Sequence, residues 1–277
     1  MLKTRLLIGV CLVAATSTIL FLDHSSHAAW GFALILVGSC TGGLYEYARL
    51  VSRAELRLPA IELALLGGSF LLLQIASPEH DGGPWLLPIV ALVVALLLAE
   101  GVFRGEPARS EAAALSISAL VYVVFLASFV VRIRFLPGIG EAAFYWFLAV
   151  NKITDSGAFF TGRAFGRTKL CPSVSPGKTW AGSYGGTLAG VGAGMAVWAF
   201  SSMRHVFPWW SIAIAAVPVS VTGQVGDLVE SLFKRRAGQK DSGALLPTFG
   251  GFLDLLDCLL LSAPFSYYAL SWMPRTH

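Results

Sequence analysis

Apolar residues along this chain run in blocks of about 20 positions separated by short polar breaks. They do not alternate in the short strand pattern. A helix needs about 20 apolar residues to cross roughly 30 Å of hydrocarbon. Blocks of that kind fall at roughly 6–22, 29–46, 59–76, 85–103, 112–131, 142–162, 183–201, 208–231 and 252–271. The sixth and eighth also carry polar residues. The pattern predicts an all-α, polytopic integral membrane protein of about nine transmembrane helices. No residue-level repeat is evident, and no polar stretch is long enough for a separate soluble domain.

Composition agrees. The 277 residues are 56% hydrophobic and 13% charged, where a soluble domain carries about a quarter charged residues. Mean hydropathy is +0.70. Cys11, Cys40, Cys171 and Cys258 are too scattered for a disulfide framework or a metal knuckle. Residues 1–28 resemble a signal peptide, with Lys3 and Arg5 leading and Ser26-His27-Ala28 as a small-residue cleavage site. The apolar run 6–22 exceeds the usual signal core of about 7 to 15 residues, which favours a retained helix.

Placement of Lys and Arg sets the orientation. With the N-terminus in the cytoplasm, 15 of the 20 fall on that side and 4 (Arg132, Arg134, Arg204, Arg275) on the other, with Lys152 inside a helix. This predicts a multi-pass protein of the cell's inner (plasma) membrane with its charged stretches facing the cytoplasm. Residues 1–140 form a chemically quiet half, whose Glu46, Glu62, Glu100 and Glu106 are read as interfacial or solvated charges. Residues 141–277 carry the candidate site. Gly182, Gly186, Gly190 and Gly194 make a small-residue stripe for close helix contact. Whether the neighbour lies in the same chain or a second copy is left open.

The densest polar stretch is 223–257. Asp227 and Glu230 are three apart and share one helix face, and Asp254 and Asp257 repeat that spacing. Lys234, Arg235, Arg236, Lys240 and Asp241 lie between them. Carboxylates at the edge of a membrane span are costly unless they bind something. Two other polar stretches face the same side. One is Asn151-Lys152-Ile153-Thr154-Asp155, where Lys152 and Asp155 can neutralise each other. The other runs from Gly162-Arg163 through Ser175-Pro176-Gly177-Lys178-Thr179. Glycines, hydroxyls and cations suit a phosphate site, although the Walker spacing is absent. Carboxylates beside such cations suggest Mg²⁺ shared with substrate phosphates, with a second metal ion left open. All five histidines (His24, His27, His80, His205, His277) fall on the far side. A phosphate-monoester nucleophile needs no imidazole base, because its second pKa of about 6 leaves it ionised at neutral pH.

The segment from Ser231 through Lys234-Arg235-Arg236 to Lys240-Asp241-Ser242-Gly243, then Leu246-Pro247 and Gly250-Gly251-x-x-Asp254-x-x-Asp257, resembles the signature of the phosphatidate cytidylyltransferases. Asp155, Gly162-Arg163, Phe165-Gly166 and Ser175-Pro176-x-Lys178-Thr179 resemble the same family's other motif. The resemblance implies transfer of CMP from CTP to phosphatidate, giving CDP-diacylglycerol and pyrophosphate, with Mg²⁺, in a membrane homodimer. Asp227, Asp254 and Asp257 would then form the metal centre, with Asp227, Lys234 and Asp254 catalytic. Arg235, Lys240, Asp241, Gly250 and Gly251 would face substrate, together with Asp155, Arg163, Ser175, Lys178 and Thr179. The expected partners are CTP, phosphatidate and membrane lipid, with no nucleic acid. The chain departs from the family pattern at Phe249, Leu255 and Ala181, which stand where His, Arg and Glu are usual. Two alternatives stay open: a CTP-dependent kinase of a lipid alcohol, and an ion-coupled transporter using the same acids.

Overall fold

The computed structural model describes residues 29–52, 58–77, 107–239 and 251–275, with Asp23, Ala95 and Ala99 besides. The predicted spans 6–22 and 85–103 lie outside this set, apart from Ala95 and Ala99. The described elements are α1 (Trp30–Val51), α2 (Ala60–Ala76), α3 (Pro107–Ala119), a π-helical turn (Leu120–Phe125), α4 (Leu126–Arg134), α5 (Gly140–Phe165), β1 (Lys169–Cys171), β2 (Ser175–Thr179), α6 (Trp180–Phe200), a 3-10 turn (Ser202–His205), α7 (Trp209–Arg236) and α8 (Phe252–Trp272). The protein is helical, as the apolar blocks require. It also has one feature they do not announce: β1 and β2 pair antiparallel, Lys169 opposite Thr179 and Cys171 opposite Ser175.

Three described helices are long and apolar enough to cross a membrane: Ser110–Arg134, Trp209–Arg236 and Phe252–Trp272. Ala60–Ala76 is apolar but shorter. In α5 charged residues dilute the apolar character, and in α6 glycines do. Large apolar side chains stand exposed along the helices, among them Ile61, Leu65, Leu73, Leu188 and Ile214. Lipid is the solvent that accommodates such a surface, and the chain is that of a membrane protein.

Contacts divide the chain into two units, Met1–Val124 with Asp241–Leu256, and Phe125–Lys240 with Asp257–His277. In the first unit, α1 and α2 approach at Gly67, where a Cβ would strike Leu44 and Val124, and at Gly68, beside Thr41. The Tyr47 hydroxyl and Ser118 Oγ share a hydrogen bond of 2.9 Å. Glu46 corrects the expectation of an interfacial charge. It is 3% exposed, and its Oε2 accepts the Leu253 N–H at 2.9 Å.

In the second unit α5, α6 and α7 form the packed body. The glycine stripe of α6 is buried and faces α5 of the same chain. A Cβ at Gly186 would lie 2.7 Å from the Thr154 carbonyl, and one at Gly194 2.8 Å from Trp146 Nε1. Thr154 Oγ1 joins α5 to α7 by donating to Ser220 Oγ at 2.9 Å. Close approach needs small residues here because the membrane supplies no hydrophobic drive between helices. α7 tolerates Pro218 inside it, where the Thr222 hydroxyl donates to the Pro218 carbonyl at 2.6 Å. It ends at Gly238, whose φ of 68° suits the left-handed stop.

Candidate active site

The site is assembled from one hairpin and three helix segments of the second unit. Its hairpin is fixed at the base by Thr179, the N-cap of α6, whose hydroxyl accepts the Gly182 N–H at 3.1 Å. Gly166 and Gly162 crowd that hydroxyl, and a Cβ on Gly166 would collide with the Thr179 side chain. Gly162, Gly166 and Gly182 are therefore required by packing, whereas a Cβ on Gly177 would meet only open space. At the other end, Arg235 Nε donates to the Val174 carbonyl at 3.3 Å.

So held, β2 directs Lys178 to α7. Lys178 Nζ pairs with Asp227 Oδ2 at 2.7 Å and donates to the Gln224 carbonyl at 3.1 Å. One turn on, Lys234 pairs with the wholly buried Glu230 carboxylate at 2.8 Å. From α8 comes Asp257, and Asp227, Glu230 and Asp257 each place one oxygen within 4.8 Å of the others. α5 contributes Lys152, whose Nζ donates to Cys258 Sγ at 3.3 Å. Asp155, one turn further, lies in the field of Asp227, Lys152 and Lys178.

These residues suit a divalent ion. All three donors are hard carboxylate oxygens, the set that Mg²⁺, Ca²⁺ and Mn²⁺ select. The three oxygens lie close enough together that one divalent ion could be held by all of them. Charge is compatible too. Asp155, Asp227, Glu230 and Asp257 outnumber Lys152, Lys178 and Lys234 by one, which leaves net negative charge in the cluster.

The sequence-predicted residues are distributed as follows. Asp227, Asp257, Lys178, Asp155 and Lys234 converge in or beside the cluster. Thr179 is engaged in capping. Ser175 opens β2, and Arg163 is exposed in the last turn of α5. Asp254 stands in the first turn of α8, where its Oδ2 accepts the Gly251 N–H at 2.8 Å. Lys240, Asp241 and Gly250, like Phe249, lie outside the described residues. Glu230 received no metal role from sequence, although its spacing from Asp227 was the available signal. Gln224, which supports Lys178, and Cys258, beside Lys152, had no sequence signal.

Fold and site together define a helical membrane protein whose carboxylates and lysines gather between a polar hairpin and its packed helices. The chain belongs to the cytidylyltransferase family, whose model matches residues 3–273. It is 30% identical over 270 residues to the phosphatidate cytidylyltransferase of Bacillus subtilis, covering 97% of each chain. Over 239 residues it is 34% identical to that of Brucella suis, covering 86% of this chain and 83% of the relative. Over 293 aligned residues it is 32% identical to that of Haemophilus influenzae, covering 97% and 98%.

Proposed function

We propose that this protein is a phosphatidate cytidylyltransferase. The lipid phosphate oxygen attacks the α-phosphorus of CTP, the bond from that phosphorus to the β-phosphate bridge breaks, and pyrophosphate leaves. The single observation that carries this is the Asp227–Glu230–Asp257 cluster with Lys178 and Lys234 in ion-pair contact. Bound there, Mg²⁺ would neutralise triphosphate oxygens and the departing pyrophosphate.

The protein's own residues bind and orient. Lys178 and Lys234 are ammoniums already inside the site, each able to turn from its carboxylate to a phosphate. Arg235 and Arg163 sit on exposed helix ends, suited to a triphosphate or lipid headgroup, and the family resemblance gives Lys240, Asp241, Gly250 and Gly251 a substrate-binding role as well. Asp254 is a further metal or substrate ligand one helical turn before Asp257. Ser175 meets substrate at the hairpin. Thr179 serves it by fixing the hairpin, so that Lys178 is aimed rather than mobile. Neither substrate phosphate needs deprotonation at neutral pH, which fits a cluster with no histidine among its described residues.

In this proposal the protein spans the inner membrane about nine times. Its site faces the cytoplasm, where CTP is, and it works as a homodimer. The test is purified protein in detergent with phosphatidate, Mg²⁺ and CTP labelled in the cytidine or in the γ-phosphate. Cytidine label in the lipid with release of pyrophosphate is expected. Only γ-phosphate label in the lipid would make the protein a lipid kinase and overturn the proposal.

A further inference from the structure

One buried carboxylate of the first unit has no part in the chemistry above. Glu46 lies in the C-terminal half of α1 and is 3% exposed. Burying an ionisable side chain in a membrane helix is costly, and a residue kept there normally does something. Its Oε2 accepts the N–H of Leu253, 207 residues away in sequence, at 2.9 Å. Its Oε1 has no hydrogen-bond partner among the described residues.

Leu253 is the second residue of α8, and its N–H is one of those that the first turn of a helix leaves without an intrahelical acceptor. Asp254 follows it and closes its own local bond to the Gly251 N–H at 2.8 Å. The surrounding contacts are equally close. A Cβ on Gly42 would strike the Phe252 ring, and one on Gly43 would come within 3.3 Å of Leu256. Thus Gly42, Gly43 and Glu46, all in one stretch of α1, receive the turn that bears Asp254.

We propose that Glu46 is the positioning residue for Asp254: through its bond to the Leu253 amide it holds the first turn of α8 in the orientation in which the Asp254 carboxylate meets its ligand. The bond is a length-dependent tether, not a charge effect. The inference rests on the reading of Asp254 as a metal or substrate ligand.

The test compares Glu46→Gln, Glu46→Asp and Glu46→Ala in the full-length, detergent-solubilised protein. Gln keeps an acceptor oxygen at the same reach, Asp keeps the charge but is one methylene short, and Ala keeps neither. Expected are faster amide exchange of the segment 251–256 in Glu46→Asp and Glu46→Ala, and a Mg²⁺ concentration for half-maximal activity raised about tenfold. Glu46→Gln should match wild type in both. Glu46→Gln as impaired as Glu46→Ala would make the role one of charge and overturn the proposal. Lower thermal stability in Glu46→Ala with unchanged exchange and unchanged Mg²⁺ dependence would leave packing alone and overturn it too. Should Glu46→Ala not fold, Asp against Gln decides by the same two measurements. Wild-type protein that forms no CDP-lipid would instead defeat the function reading, and the exchange data would still report on the tether.

Discussion

The two units use their carboxylates in opposite ways. In the first, Glu46 is committed to a backbone amide, that of Leu253. A backbone donor cannot leave without unwinding the helix start, so this carboxylate anchors. In the second, Asp227 and Glu230 are paired with Lys178 and Lys234, whose long side chains can release one anion for another. In the proposed function such pairs would hold the polar site together until a metal or phosphate exchanges into it. The partner of such an acid, more than its burial, separates a structural carboxylate from one available for chemistry.

The largest expected effect tests the exchangeable side. Asp227→Asn should lower CDP-lipid formation by about 10³-fold or more while leaving the protein folded, since the isosteric amide keeps the volume but supplies no charge for a metal. Turnover within a few-fold of wild type would remove Asp227 from the metal centre. Lys178→Ala should cost about 10²-fold in turnover. Lys178→Arg should recover part of it, because Lys178 is held between Asp227 and the Gln224 carbonyl. Unchanged rates in Lys178→Ala would mean that the hairpin lysine only neutralises Asp227.

Stability separates the units differently. Gly190 faces Thr154 and Ser220 so closely that a Cβ would overlap both hydroxyls. Gly190→Val should therefore lower the thermal midpoint by several degrees and reduce active protein yield, at a cost of about 1–3 kcal/mol from overpacking. A midpoint equal to wild type would show that α5 and α6 can separate without loss.

Much of this architecture was legible. Seven of the apolar blocks coincide with described helices within a few residues, and three of those helices are long and apolar enough to cross a membrane. The glycine stripe foretold a close contact but not its partner, since a four-residue step says which face is small and nothing about what meets it. Glu46 was misread for a related reason: at the end of an apolar run, an acid that is solvated and one that accepts a distant amide look alike. The hairpin was hidden because residues 169–179 lack strand alternation and are rich in Pro and Gly. Their pairing follows from anchoring at Thr179 and Arg235, not from propensity. In the candidate site, i, i+3 spacing singled out Asp227 and Asp257 as proposed ligands, whereas Lys152 beside Cys258 depends on two helices meeting.

The smallest effect expected is at Leu188, and it sharpens the comparison by showing what is neither anchor nor chemistry. Leu188 is on α6, two residues from Gly190, yet it is 74% exposed where Gly190 is buried. If that exposed face meets lipid, truncation replaces one apolar contact with another, and no cavity opens within the protein. Leu188→Ala should shift stability by no more than about 0.5 kcal/mol and leave turnover unchanged, measured by thermal midpoint and CDP-lipid formation side by side with Gly190→Val. A large loss at Leu188 would mean that this face of α6 is covered by protein instead, as it would be if a second copy of the chain packed there.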